Sequence, residues 1–386
     1  MKHIVAGLMA AALLGGCGSG SNPFEQTAAN GGTTDGGTTD GGTTDGGTNT
    51  DGGTNTDGGG TNTIGDTAAD APVVVEDALA GNLRSVIFDP TSQTLTVQAL
   101  NLDEVPLTAV YRRTPELDQA GYLAFTVQDD PLDRHFTAFA AQSNNSGSVR
   151  ASVVGSGGPR NVGFKGGLFE RDDGYSAPDV TENTGLVSYA GNYVGVTNIG
   201  IPDGQNLLDI DPALLADGTV PVEVRPTQVA TVTGRVFINA DFADNSLEGN
   251  IFDRRLVVDL PLADQIALGL ISADPTQPNQ DGLASIVLTA TAIEANGTFN
   301  GDVELDARVD PDGNRTPVGT FGGVFGGENA DAVAGVVDIT ALEGDAIDVL
   351  ELQGELLETG IFVLDQCGQA VDAALCDAVN PTVASP

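Results

Sequence analysis

The chain has no tryptophan and is poor in the residues that most often carry metal or imidazole chemistry. It has two histidines, His3 and His135. His3 belongs to the N-terminal leader, so His135 is left alone. One imidazole cannot build a histidine-rich metal site, and a charge-relay triad would rest on it entirely. Its expected place is an exposed strand end beside Arg134. No glycine loop leads from a strand into a helix: Gly322 to Gly327 runs between two strands, which is no phosphate cradle. Asp310-Pro-Asp-Gly-Asn314 begins like a calcium loop but lacks the distal Glu, and reads as a hairpin turn. These gaps point away from an enzyme, and away from any cofactor or metal. No catalytic residue is named.

Positive charge is also scarce. Basic residues number 15 against 54 acidic ones, a formal charge of -39, and only Lys2 and Lys165 are lysines. A field of that sign repels phosphate backbones and excludes nucleic acid as a partner. It keeps the chain soluble, and a solvated acidic surface suited to a saline medium is the favoured reading over a specific basic partner.

Only one uninterrupted apolar stretch stands out, Ile4 to Leu14, and it is too short to span a bilayer. With Lys2 and His3 before it and Leu14-Gly-Gly-Cys17 after it, this stretch reads as a lipoprotein signal over residues 1–16. The last four residues resemble the bacterial lipobox, in which the cysteine is diacylated and becomes the N-terminus. Cys17 is therefore the expected lipidation site and the link to a membrane partner. Several acyl chains anchor firmly without a spanning helix. Gly18 rather than Asp follows the cysteine, which suits the outer membrane.

Residues 17–75 read as a disordered tether. Its core is Gly-Gly-Thr-Thr-Asp, repeated from Gly31, and it holds almost nothing that could bury apolar area. A calcium repeat would need a nine-residue period with an apolar anchor, and this repeat has neither. As a flexible coil the tether reaches roughly 40 Å.

Past the tether the chain alternates apolar and polar residues between turns. In residues 76–180 the expected strands are Leu83–Leu100 (a hairpin about Asp89-Pro-Thr-Ser92), Leu107–Arg112, Tyr122–Gln128, His135–Gln142, Ser148–Val154 and Val162–Phe169. Residues 181–366 add about eight more. Val187–Val196 is the first, and an excursion over 202–217 with a short helical turn follows. Thr231–Phe242 then pairs with Leu247–Phe252, with Phe242 facing Leu247 and Ile238 facing Ile251 so that apolar sets match. Ile286–Ile293 meets Phe299–Leu305 about Ala295-Asn-Gly297, with Gly297 left-handed and Ile293 opposite Phe299. The hairpin 319–337 carries little volume: Phe321, Gly323 and Phe325 share one face. Glycines inside strands suit tight bending or close backbone approach. Leu260–Ser272 and Asp345–Leu357 look helical, and Gly360–Leu364 is the last strand. The fold class is all-β: a β-rich handle-like domain, then an eight-stranded antiparallel up-and-down β-barrel.

Several segments resemble the β-barrel domain of the transferrin-binding protein B family of surface lipoproteins, an architecture shared by factor H binding protein. They are Tyr189-Ala-Gly-Asn-Tyr-Val-Gly195, Thr233–Ala243 with Leu247-Glu-Gly249, Ala290–Gly301, and Gly319-Thr-Phe-Gly-Gly-Val-Phe-Gly-Gly327 leading into Ala330–Gly335. The resemblance covers about 185–366. It implies a monomeric, surface-exposed lipoprotein that binds a protein partner through its loops, in iron acquisition or host-factor recruitment. The rival is a lipocalin-like carrier with a small ligand inside the barrel.

Cys367 and Cys376 remain in the tail, 367–386. In an oxidising export compartment they are expected to form a disulfide. Closing that short loop is worth about 3 kcal/mol.

Overall fold

The computed structural model describes residues 73–379, apart from 101–104, 158–162, 173, 182–184, 202–203, 205, 217, 222–223, 258–282, 307–316, 343–355 and 370–373. The leader, Cys17, the tether up to residue 72, Leu260–Ser272 and Asp310–Asn314 fall outside the described residues. So does Asp345–Leu357, except for its last two residues.

After a one-turn helix α1 (Asp77–Ala80), seven strands run as an antiparallel meander: β1 (Leu83–Asp89), β2 (Thr94–Leu100), β3 (Pro106–Arg113), β4 (Leu123–Val127), β5 (Phe136–Gln142), β6 (Val149–Ser156) and β7 (Lys165–Arg171). The sheet curls until its ends meet. Asn82, just before β1, donates its N–H to the Lys165 carbonyl at 3.0 Å. The Asp89 turn forms where the sequence places it: Asp89 Oδ1 accepts the N–H of Thr91 and Ser92, and Asp89 pairs with Thr94.

The second sheet closes on itself as an eight-stranded antiparallel barrel. Its strands are β8 (Leu186–Ile201), β9 (Gln228–Asp241), β10 (Ser246–Val257), β11 (Ile286–Ala292), β12 (Thr298–Leu305), β13 (Pro317–Gly326), β14 (Ala332–Leu342) and β15 (Leu356–Gln366). Seam strands β15 and β8 pair with Gly360 opposite Gly195 and Phe362 opposite Tyr193. A short helix α2 (Pro212–Ala216) lies in the excursion, and α3 (Ala374–Val379) lies in the tail.

Three local readings change. Leu247 faces Ala240, not Phe242, and Ile251 faces Val236, not Ile238. Asp241 causes the slip. Its carboxylate accepts the N–H of Ala243 and Asp244, so the turn starts one residue earlier and ends at Asn245, whose φ is +50°. The slip is by two, so the same residues still point inward. At the β11–β12 turn Gly297 is left-handed (φ +78°) and Glu294 bonds Thr298. Further along, the ladder is offset by one residue, with Leu288 opposite Val303. Finally, Leu356 and Leu357, read as the end of a helix, begin β15.

The glycine hairpin β13–β14 has both faces buried. Phe321, Phe325, Val333 and Val337 point into the barrel, while Val324, Ala332, Ala334 and Val336 join the apolar cluster of the first sheet. That is why it can carry so little volume. A Cβ on Gly322 would lie 2.8 Å from Leu79 Cδ1, and one on Gly326 would lie 2.5 Å from Val149 Cγ1. On the facing sheet, a Cβ on Gly167 would lie 2.6 Å from Val336. The two sheets therefore meet backbone to side chain, and one continuous cluster runs from Val97 and Phe139 to Val336 and Ile361.

Candidate functional site

The barrel interior is the first place to look for a ligand. Inward positions carry Tyr189 and Tyr193 from β8, Phe299 from β12, Phe321 and Phe325 from β13, and Phe362 from β15, all buried. Phe325 stands at the centre of the ring contacts. Phe325 lies 5.4 Å from Tyr189, 5.2 Å from Phe242 and 5.3 Å from Phe299, ring centre to ring centre. Such tilted and edge-to-face contacts are those aromatic rings prefer. Tyr189 donates to the Ala330 carbonyl at 2.6 Å. Gly335 and Gly323 leave the room that the Phe362 and Phe299 rings occupy. Among the described residues this interior is packed with side chains.

One end of the interior holds charge. Arg254 and Glu358, both without exposed side-chain surface, pair at 2.5 Å, and Tyr193 donates to the other carboxylate oxygen at 2.7 Å. Arg254 also donates to the Ala284 carbonyl. Burial raises the Tyr193 pKa well above the usual phenol value, and the Glu358 charge adds to this. A Cβ on Gly360 would lie 2.1 Å from the Tyr193 hydroxyl, so only glycine leaves it room. The network is fully buried and paired through Arg254 Nη2, Glu358 and the Tyr193 hydroxyl, while Arg254 Nε has no hydrogen-bond partner among the described residues.

The second candidate is the polar frame around the seam between the sheets. Lys165 of β7 pairs with Asp338 of β14 at 2.6 Å, and Asp338 also accepts from Thr359. Asp365 accepts the backbone N–H groups of Asn144 and Asn145, and Asp331 accepts from Ser146 and Ser148. Tyr122 donates to the Asn192 carbonyl at 2.7 Å and accepts from the Val363 N–H at 3.0 Å. Burial pushes its pKa far up. These contacts fix the two sheets on one another.

His135 is not at an exposed strand end. It is 1 % exposed, and neither ring nitrogen has a hydrogen-bond partner among the described residues. Strands β5 to β7 are covered on both sides: Phe136 meets Tyr111 and Phe164 edge to face, while Gly155 and Gly167 abut barrel residues Val196 and Val336. Even a strand end is therefore interior there. Burial lowers the His135 pKa to about 4. In the unfolded chain an imidazole takes up its proton near pH 6.5. Between these values the unfolded state binds more protons, so stability rises with pH across the window and is lost on acidification. Going from pH 7 to pH 5 should remove about 2 kcal/mol through this residue. Denaturant melts of His135→Leu should lack that share of the acid loss; an unchanged pH profile would refute it.

Cys17 lies outside the described residues. Cys367 and Cys376 are disulfide-bonded, with Cα atoms 5.5 Å apart. The bridge seats Leu375 and Cys376 against Ala190, Phe237 and Phe252 on the outer barrel wall. Among the described residues, no group of three or more His, Cys, Asp or Glu is placed to hold a metal, and no helix is long and apolar enough to cross a membrane.

No protein-family model and no curated protein matches the chain. Solved structures similar to it are transferrin-binding protein B. A double mutant from Haemophilus parasuis is 12 % identical over 73 % of this chain and 52 % of its own, with a TM-score of 0.32. The Neisseria meningitidis protein is 13 % identical over 72 % and 51 %, with a TM-score of 0.31. A mutant from Actinobacillus pleuropneumoniae is 13 % identical over 59 % and 79 %, with a TM-score of 0.30. The chain spans about half the length of the first two.

Proposed function

We propose that the chain is an outer-membrane-anchored, surface-exposed lipoprotein that binds a protein partner through its handle and barrel, without catalysis. The packed barrel interior carries this reading. With Tyr189 and Phe242 in ring contact with Phe325 from across the barrel, recognition is left to the outside of the molecule, and the small-ligand carrier is disfavoured. The lipobox at Cys17 and the polar tether support the anchoring, and the tether would hold the folded part clear of headgroups. Iron acquisition and host-factor recruitment rest on the family resemblance of the sequence.

Three measurements test it. Cys17→Ser should abolish incorporation of labelled palmitate and release the protein from membranes; an unchanged membrane fraction would defeat the anchor. A tagged chain with residues 1–17 replaced should retain a defined partner on pull-down. Protease added to intact cells should cut the chain, and resistance until lysis would defeat surface exposure.

A further inference from the structure

We propose that the β3 edge around Thr108 and Val110 accepts a strand of basic character from a partner protein. This rests on the partner-binding reading and names the surface. Strand β3 has eight residues, all but one paired with β2, yet β4 pairs with it only at Arg112–Thr126 and Arg113–Phe125. The Thr114 N–H reaches the Ala124 carbonyl. Backbone groups alternate sides along an antiparallel strand, so those of Arg112, Val110 and Thr108 face the β4 side. Continued past Val127, the same register would set Gln128 against Val110 and Asp130 against Thr108. The chain turns away instead. The Gln128 side chain bonds the Asp133 carbonyl and the Leu208 N–H, and Asp130 closes a turn onto Leu132 and Asp133. No described strand pairs with Thr108 or Val110 on that side.

An open edge offers an incoming strand a ladder of N–H and carbonyl groups. Val110 is 52 % exposed, giving an apolar neighbour for one alternate side chain. The departing loop brings Asp129 and Asp130, and the whole chain carries -39. Arg112 stands one step along, at the paired end. A cationic, alternating strand fits this edge, whereas a second copy of so acidic a chain is repelled from it.

The test uses the chain with residues 1–17 replaced by a tag, and the peptide Lys-Val-Lys-Val-Lys-Val-Lys as probe. In the free protein the Thr108 and Val110 amides should exchange with deuterium about 100-fold faster than those of Ala109 and Tyr111, which face β2. The peptide should slow Thr108 and Val110 about tenfold, and more weakly at high salt. Val110→Pro should abolish the effect while the melting temperature holds, since an edge tolerates proline. Should that variant unfold, the peptide N-methylated at alternate residues is the control and should give no protection. Equal protection of all four amides in the free protein overturns the proposal. So does equal protection by the glutamate analogue of the peptide. A pull-down partner held as tightly by Val110→Pro would exclude this edge and leave the partner-binding reading standing. Absence of any partner would remove that reading, while the peptide still decides whether the edge is competent.

Discussion

Glu358→Leu alone is expected to cost about 3–5 kcal/mol, because it strands the fully buried Arg254 guanidinium without its counter-charge. Replacing both partners is different. Taking charges out of water costs several kcal/mol per ion, and their attraction roughly repays it, so an apolar pair of similar volume is often as stable. The double variant Arg254→Met with Glu358→Leu still leaves the Tyr193 hydroxyl without its acceptor, a loss of about 1–3 kcal/mol. The useful comparison is therefore the triple variant with Tyr193→Phe. It should recover most of the loss, short of about 1–3 kcal/mol for the Ala284 carbonyl, which loses its Arg254 donor. Urea melts of the parent, the single and the triple variant decide this. A triple variant no more stable than the single would mean that the network holds the barrel seam by shape rather than by charge pairing.

Gly335→Val is the second large effect. Valine is the better strand former, and on a scale spanning about 1 kcal/mol it should help. Space forbids it. A Cβ on residue 335 would lie 2.3 Å from Phe362 Cζ and 2.6 Å from the Gly322 carbonyl oxygen, which belongs to the neighbouring strand's backbone. The ring is fully buried in the barrel cluster, and the carbonyl is held in its ladder. Overpacking on this scale should cost about 3 kcal/mol or more, outweighing propensity. Gly335→Val with Phe362→Leu should recover part of the loss, because only the ring clash is relieved. A single variant that melts at the parent temperature would show that the wall is looser than its contacts suggest.

Much of this architecture is legible from period-two alternation. The strands of both sheets, the left-handed Gly297 and the volume-poor hairpin at 319–337 follow from local rules that tertiary context does not override. The register at β9–β10 was less accessible, because it depends on a side-chain bond from Asp241 that competes with the ladder. The Arg254–Glu358 pair was hidden for a sharper reason. Along β10, Leu247, Gly249 and Ile251 point inward, so simple alternation would send Arg254 out to solvent. A bulge at Asp253, with φ +50°, inserts one residue between the Phe252–Arg235 and Arg255–Thr233 pairs and turns Arg254 inside. Asp253 bonds Arg235 on the outer surface, so the bulge is marked by a charge pair that spacing alone does not reveal. Glu358 does follow the inward parity of Phe362 and Leu364, but it precedes the stretch that reads as strand. His135 was misplaced because two-sided burial of β5 to β7 is a property of the docked sheets, not of any single strand.

The barrel has an aromatic interior of its own, but the apolar side chains of the first sheet run unbroken onto the outer face of the barrel wall, so the two halves share one hydrophobic interface. Cut near Gly185, the front piece would show water the bare valines and glycines of β6 and β7, and the rear piece would show the thin wall of β13 and β14. Heat should accordingly melt the described region in one cooperative step, and swapping either half into an unrelated relative would require re-cutting both mating surfaces together.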